Sequence, residues 1–329
     1  MLDRRESIAD SSSEKNSQSL NCPACHSADA RRIVYLEGTI AICRECRLQW
    51  SEGVTYSAAT DPVEAMFHTK YMDPSDDDAQ TYKPYQDFFD KIDKFGKNNG
   101  RILDVGCGNG KFVAACLDKG LDAWGIEANK KMAAMMTPAV RERVHFEMVE
   151  TFSHPNTKYS VVTFWDSFEH LPNPFDLLAT LRDFLEPDGV VFLRVNNSWD
   201  IYNLTTLAAL KIAPPIGKKL LKSCFSLPAH FWNFSYDPMT AMCKRDNWHV
   251  LHHRVTETPA SRFSDSAVVR SIIAIAYFLN RLIAGGKIGE YYLRDNVGAR
   301  PESGILDDRQ AATTAQRAAI PNDTRSKAK

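Results

Sequence analysis

The sequence predicts an α/β protein with a mainly parallel sheet and a small cysteine-rich segment in front of it. From residue 101 onward, short apolar runs alternate with helical segments, as in consecutive βαβ units. Three glycines at alternate positions follow the first of these strands, and four cysteines lie upstream in two CxxC pairs. The 329 residues suffice for one large α/β domain with an appendage.

Apolar runs and their boundaries place the individual elements. Strands are expected at 101–105, 123–126, 144–146, 159–165 and 190–195. Helices are expected at 111–119, 130–136 and 174–185. An insertion at 199–236 interrupts the alternation, and a helix at 238–244 and a strand at 249–255 resume it. Because ligands bind at the carboxyl ends of strands in such sheets, we expect the insertion to determine substrate specificity.

Composition and charge restrict the classes of function. Forty Lys and Arg residues against 41 Asp and Glu residues give a net charge of −1, so no overall field attracts nucleic acid. Residues 1–20 and 301–329 are polar and lack periodicity, which predicts disorder at both ends. The N-terminus lacks the apolar run of a signal peptide or membrane anchor, so we expect a cytoplasmic location.

The glycine loop is the most informative motif. Gly106, Gly108 and Gly110 let the backbone turn tightly and approach a ligand, and the following helix presents free amides. A GxGxxG dinucleotide loop would require a glycine where Lys111 stands. Glu127 follows the next strand, where nucleotide-binding folds place a carboxylate that binds ribose hydroxyls. The pattern indicates a ligand that contains adenosine.

The segments LDVGCGNG and GIEAN resemble the first motif and the ribose-binding acid of class I S-adenosylmethionine-dependent methyltransferases. The resemblance extends over about residues 98–256 and implies a Rossmann-like sheet of seven strands, the last one antiparallel. It also implies S-adenosylmethionine as cofactor. The residues that it implies for binding are Asp104 and the three glycines at the methionine moiety, Glu127 at the ribose, Val149 near the adenine and Asp166 at the amino-acid end. For Asp166, capping of the following turn is the alternative.

The cysteine pairs predict a structural zinc site. Cys22, Cys25, Cys43 and Cys46 form two CxxC pairs whose separation is typical of a four-thiolate site. Four thiolates complete the tetrahedron and leave no open position for water. A redox dithiol is the alternative. The predicted organisation is a zinc ribbon at 21–55, a linker or helical cap at 56–97 and an S-adenosylmethionine-binding domain at 98–300 that includes the insertion.

Two histidines are candidate catalytic residues. A histidine has the pKa of a general base for an acceptor hydroxyl, although His170 and His230 both also fit a packing role. The sequence Asp166-xx-Glu169-His170 resembles the acid-xx-Glu-His arrangement of ubiquinone-pathway O-methyltransferases, which is associated with a divalent metal. The lysines of 218–222 indicate either a solvated face or a contact with a membrane surface or an acidic acceptor.

These features together predict a cytoplasmic methyltransferase with S-adenosylmethionine as donor and a structural zinc ion. The expected acceptor is a small molecule, either a sugar, a lipid-linked compound or a quinone-like compound. Two alternatives belong to other classes. One is an RNA methyltransferase that uses the ribbon to bind nucleic acid, which the near-neutral charge opposes. The other is a non-catalytic module that retains the cofactor fold.

Overall fold

The computed structural model describes residues 21–35, 38–52, 79–153, 157–224, 230–257, 267–283 and 286–296. The predicted disordered segments 1–20 and 301–329, and the linker residues before Ala79, lie outside the described residues. Residues 225–229, which precede His230 in the insertion, also lie outside them.

The cysteine-rich segment forms a small antiparallel sheet. Its strands are β1 (Ala30–Tyr35), β2 (Gly38–Cys43) and β3 (Gln49–Glu52). The CxxC pairs lie before β1 and at the turn between β2 and β3. A fourth strand from the distant insertion, Trp232–Asn233, pairs with β3 at the sheet edge. The small sheet is therefore built from two segments that lie far apart in the chain.

The main sheet has seven strands, which confirms the predicted fold class. In chain order they are β4 (Ile102–Val105), β5 (Ala123–Ile126), β6 (Val144–His145), β7 (Tyr159–Trp165), β8 (Leu185–Asn196), β10 (Trp248–Thr256) and β11 (Ile288–Asp295), with β9 being Trp232–Asn233. Their order across the sheet is β10-β11-β8-β7-β4-β5-β6. Strand β11 is antiparallel to both of its neighbours, and the pairs from β8 to β6 are parallel.

The helices are α1 (Ala79–Lys94), α2 (Lys111–Asp118), α3 (Pro138–Arg141), α4 (Pro174–Leu181), α5 (Ile201–Ile212), α6 (Pro214–Cys224), α7 (Tyr236–Arg245) and α8 (Ala267–Ile283). Short 3-10 helices occupy Lys130–Met135 and Phe168–His170. Helix α4 ends before the predicted residue 185, because Leu185 already pairs with Tyr159 as the start of β8. The insertion 199–236 contains two helices, α5 and α6, where the sequence showed only a loss of alternation.

Two apolar clusters cover opposite faces of the main sheet. On one face, Phe88 of α1 packs against Phe112 and Phe192 with ring centroids 5.2 and 5.0 Å apart. The α1 part of the predicted linker or helical cap thus belongs to the core. Because both faces are covered, β4 is buried along its whole length and β7 at all but its last residue, as in central parallel strands.

Candidate active site

The candidate residues meet at the carboxyl edge of the parallel strands. The glycine loop follows β4, Glu127 follows β5, and Asp166 follows β7. Val149 lies beyond β6 and is buried in the apolar cluster that also contains Ile126. Ligands of open α/β sheets bind at this edge, at the point where successive strands are added on opposite sides of the first strand. The sheet order places β4 between β5 and β7, so the loop lies in the middle of the candidate residues.

The glycine loop depends on the absence of side chains. Gly106, Gly108 and Gly110 have φ angles of 72°, 57° and 76°, in the left-handed region that favours glycine. A Cβ atom on Gly106 would lie 2.7 Å from the Cβ atom of Ser167, and one on Gly110 would lie 2.4 Å from Cγ1 of Val140. Any larger residue at these two positions would therefore have to displace its neighbour.

Glu127 connects the glycine loop to the end of β5. Its side-chain Oε2 accepts a hydrogen bond from the Gly108 amide at 2.8 Å, and Oε1 accepts one from the Asn129 amide at 2.8 Å. The residue is 8% exposed. Both carboxylate oxygens are thereby fixed beside the loop, where an acceptor for ribose hydroxyls is expected.

Asp104 lies beneath the loop, not in front of it. It is 2% exposed, and its Oδ1 accepts a hydrogen bond from the Thr163 hydroxyl at 2.8 Å. Burial raises the pKa of Asp104 to about 8, and the charge of Glu127 adds to that direction while the Thr163 hydrogen bond opposes it. Asp104 is consequently a neutral acid at pH 7 that supports β4 and the loop from the interior.

Asp166 has the left-handed φ of 53°, which few residues other than glycine adopt. Its carboxylate forms an ion pair with Arg194 of β8, and its amide donates to the Arg194 carbonyl at 3.0 Å. The same arginine lies 3.7 Å from Glu290 of β11, and Glu290 in turn binds Arg254 at 2.6 Å. These alternating charges fix the turn after β7 to three neighbouring strands.

Glu169, His170 and His230 form a cluster beside this turn. One donor atom of each lies within 4.8 Å of the other two, and the two imidazole rings meet edge to face with centroids 4.6 Å apart. Glu169 is 1% exposed, and burial together with the charge of Asp166 raises its pKa to about 8. Burial lowers the pKa of His230 well below its usual value, and the charge of His170 acts in the same direction. His230 is thus neutral at pH 7.

Asn196 and the ribbon hold His230 in place. The Asn196 side-chain amide donates to Nδ1 of His230 at 3.0 Å. The next residue, Phe231, donates its amide to the Glu169 carbonyl at 3.0 Å and accepts at its carbonyl from the Ser51 amide at 2.9 Å. Sequence reasoning missed Asn196. Its position at the end of β8, on the same sheet edge as the other candidates, was the available signal.

The donor group differs from the one that the acid-xx-Glu-His resemblance implied. Among the described residues, the carboxylate and imidazole donors that lie together here are those of Glu169, His170 and His230. Asp166 is turned toward Arg194 and does not belong to the group. In this group the insertion supplies His230, whereas the resemblance implied Asp166 together with Glu169 and His170.

The four ribbon cysteines form a second donor group. Their Sγ atoms lie within 4.8 Å of one another, with Cys22 to Cys46 at 3.5 Å and Cys25 to Cys43 at 3.6 Å. The Cys46 amide also points at the Cys43 sulfur at 3.4 Å, as in a metal-binding knuckle. The thiol–thiol hydrogen bond lowers the pKa of Cys22 to about 5 and raises that of Cys46. The geometry suits one tetrahedral ion.

Comparison with known proteins gives a family match over more than half of the chain. A family model described as "Methyltransferase domain" matches residues 78–253. The "Ubiquinone biosynthesis O-methyltransferase" of Haemophilus ducreyi is 31% identical over 134 residues, which cover 36% of this chain and 56% of that protein. The protein of the same name from Photobacterium profundum is 34% identical over 112 residues, which cover 31% and 45%. The chain thus spans about half the length of these curated relatives.

Solved structures show weaker likenesses. The crystal structure of a SAM dependent methyltransferase from Archaeoglobus fulgidus has a TM-score of 0.44 and 17% identity, covering 65% of this chain and 94% of that chain. The 1,6-didemethyltoxoflavin-N1-methyltransferase of Burkholderia thailandensis, solved with S-adenosylhomocysteine, has a TM-score of 0.45 and 13% identity, covering 81% and 99%.

The buried acid Asp104 should make the folded state less stable as pH rises. Its pKa is about 8 in the fold against 3.8 for the ordinary group, so the folded chain holds more protons between these values and loses stability as pH increases from about 4 to 8. Asp104 should lower the free energy of unfolding by at most about 1.4 kcal/mol for each pH unit in this range. Urea unfolding should show that the free energy of unfolding decreases less between pH 5 and pH 7.5 for Asp104→Asn than for the wild type. The exposed control Asp118→Asn should behave as the wild type, and equal decreases in all three proteins would contradict the assignment.

Proposed function

The chain belongs to the family of methyltransferase domains, and we propose that it transfers a methyl group from S-adenosylmethionine to a hydroxyl of a small, quinone-like molecule. The observation that carries the proposal is the Glu127 carboxylate fixed beside a loop of three left-handed glycines. The two relatives are named as O-methyltransferases of ubiquinone biosynthesis, which supports a hydroxyl acceptor of the quinone class.

The residues that we assign to cofactor binding lie along the carboxyl edge of the sheet. Glu127 binds the ribose hydroxyls, and the loop amides lie along the methionine moiety. Asp104 supports this loop from beneath through its buried neutral carboxyl group. Val149 lines the adenine side, because it is buried beyond β6, next to the strand that carries Glu127. Asp166 lies at the amino-acid end, where its ion pair with Arg194 fixes the turn.

Methyl transfer from a sulfonium needs orientation more than activation of the donor. The acceptor oxygen attacks the methyl carbon, the carbon–sulfur bond breaks, and the thioether leaves with the electron pair. The proton of the acceptor hydroxyl must go to a base. We assign this role to His170, because His230 accepts from Asn196 at Nδ1 and so carries its own proton on Nε2. His230 then donates a hydrogen bond that orients the acceptor.

A divalent ion held by the same group of side chains is the alternative to these two histidine roles, because an imidazole nitrogen that binds a metal can neither take up a proton nor donate a hydrogen bond. Glu169, His170 and His230 offer one carboxylate and two imidazoles, a donor set that divalent transition metals accept. A bound ion would lower the pKa of an acceptor hydroxyl as a Lewis acid. The side chains that would hold it are those of the observed group, and Asp166 is not among them.

Zinc in the ribbon has a structural role in this proposal. Cys22, Cys25, Cys43 and Cys46 leave no position open for substrate when they bind one ion. The ion would fix the turn between β2 and β3, and β3 pairs with the strand that follows His230. Zinc thereby stabilises the position of His230 from a distance.

Removal of the Glu127 carboxylate should weaken cofactor binding. Glu127→Gln loses one charged acceptor for the ribose and places an amide group against backbone amides, so affinity for S-adenosylmethionine should fall roughly tenfold to a hundredfold. Isothermal titration calorimetry measures the loss, and circular dichroism checks the fold. The exposed Glu142 provides the matched control Glu142→Gln, which should bind as the wild type. Unchanged affinity in Glu127→Gln would refute the ribose assignment.

Substitution of either clustered histidine should slow transfer while leaving cofactor affinity intact. His170→Ala removes the base and should lower kcat roughly a hundredfold or more, and His230→Ala should lower it roughly tenfold. Transfer of labelled methyl groups to a soluble catechol probe, and to small molecules extracted from the source cells, provides the rates. The exposed His249 supplies the control His249→Ala. Full kcat in both cluster variants would show that the pair has only a packing role.

The ribbon should contain one zinc ion per chain. Native mass spectrometry and elemental analysis should find it in the wild type and in Cys116→Ala, which alters a buried cysteine outside the cluster, but not in Cys43→Ser. Because β3 holds the strand after His230, Cys43→Ser should also lower kcat about tenfold with little change in cofactor affinity. A wild type without zinc, or a zinc-free variant at full kcat, would contradict the proposed role.

A further inference from the structure

Exposed apolar side chains are concentrated on three helices at one side of the molecule. We define the helical face as the outward surfaces of α5, α6 and α8. Ile212, Phe278 and Leu282 are 85%, 63% and 68% exposed. Most of the exposed large hydrophobic residues in the described part of the chain lie here: Tyr202, Ile212, Ile216, Ile275, Phe278, Leu279 and Leu282. Single exposed apolar residues are ordinary, but a concentration of this kind marks an interaction surface.

The three helices are attached to one another. Helices α5 and α6 pack so closely that a Cβ atom on Gly217 would lie 2.4 Å from the Leu210 amide nitrogen. Asn280 of α8 accepts a hydrogen bond from the Ile201 amide at the start of α5, at 2.9 Å. Asn280 is buried, so its side of α8 faces the protein. The exposed positions 275, 278, 279 and 282 follow helical spacing and form one stripe.

The charge of these helices differs from that of the whole chain. Residues 201–224 and 267–283 contain no Asp or Glu, whereas the chain as a whole has a net charge of −1. Their basic residues are Lys211, Lys218, Lys219, Lys222, Arg270 and Arg281. Lys211, Lys218 and Arg281 are exposed in the structure. The segments therefore combine exposed apolar side chains with charge of one sign.

We propose that the helical face binds the surface of an anionic lipid bilayer. Helices with an outward apolar stripe and Lys or Arg beside it lie in the headgroup region, with apolar side chains inserted and basic ones bound to phosphate. A second copy of the chain would bring two positive faces together, which opposes self-association. In the described part of the chain, no helix is both long and apolar enough to cross a bilayer. The binding therefore involves the surface of the membrane.

Vesicle sedimentation tests this inference without methyl donor or acceptor, so its result is separate from that of the proposed function. The full chain is mixed with vesicles of phosphatidylcholine alone, or of phosphatidylcholine with about 30% phosphatidylglycerol, at 0.1 M salt. The wild type should partition to the anionic vesicles and be released by high salt. Phe278→Ser combined with Leu282→Ser should lower partitioning at least tenfold. Lys211→Glu combined with Lys218→Glu should lower it at least twentyfold, since each basic residue contributes about fivefold.

Two control variants and one further measurement keep the test decisive. Val34→Ser and Lys94→Glu alter an exposed apolar residue and an exposed lysine outside the helical face, and they should partition as the wild type. Thermal unfolding should be similar in all variants, because every altered side chain is exposed. Absence of the wild type from anionic vesicles, or unchanged partitioning of the apolar variant, would overturn the inference. A dimer in sedimentation velocity that the apolar variant dissociates would also overturn it and would assign the face to a second copy.

Discussion

The hydrogen bond from the Gly108 amide to the Glu127 carboxylate is the constraint on which the candidate site depends. It joins the ends of two adjacent parallel strands, at 2.8 Å, through a loop whose three glycines have left-handed backbone angles. The loop can adopt this path only without side chains, since Ser167 and Val140 occupy the space that Cβ atoms would need. Beneath it, the neutral Asp104 avoids a second negative charge beside Glu127. The result is one fixed carboxylate beside the glycine loop at the carboxyl edge of the sheet.

The ribbon and the reacting side of the site form one structural unit. Strand β3 pairs with the edge strand β9, and the Phe231 backbone is bonded to both Ser51 of the ribbon and Glu169 of the histidine cluster. Gln49 of β3 strengthens this junction, because its side-chain oxygen accepts from Asn203 of α5 at 3.1 Å. An ion held by the four cysteines would therefore affect the chemistry without touching the substrate. The insertion that supplies His230 also contains α5 and α6. The helical face therefore begins at Ile201, a few residues after Asn196 of the site.

Sequence reasoning was successful where the determining interactions are local. Positive φ angles restrict the loop positions to glycine, so the loop could be located from its motif. Glu127 directly follows the next strand, so it could be located from its spacing. The contacts of Asp166 with Arg194 and of His230 with Asn196 join segments far apart in the chain. The periodicity of apolar residues in the sequence does not indicate such contacts. The pairing of β3 with β9 escaped prediction for the same reason. Two residues, Trp232 and Asn233, are too few to show an alternating pattern.

A crystal structure with S-adenosylhomocysteine tests the central claim most directly. Both ribose hydroxyls should lie within hydrogen-bonding distance of the Glu127 carboxylate, the methionine moiety should run along the glycine loop, and the sulfur should face His170 and His230. An empty carboxyl edge at saturating ligand, or a ligand bound away from Glu127, would contradict it.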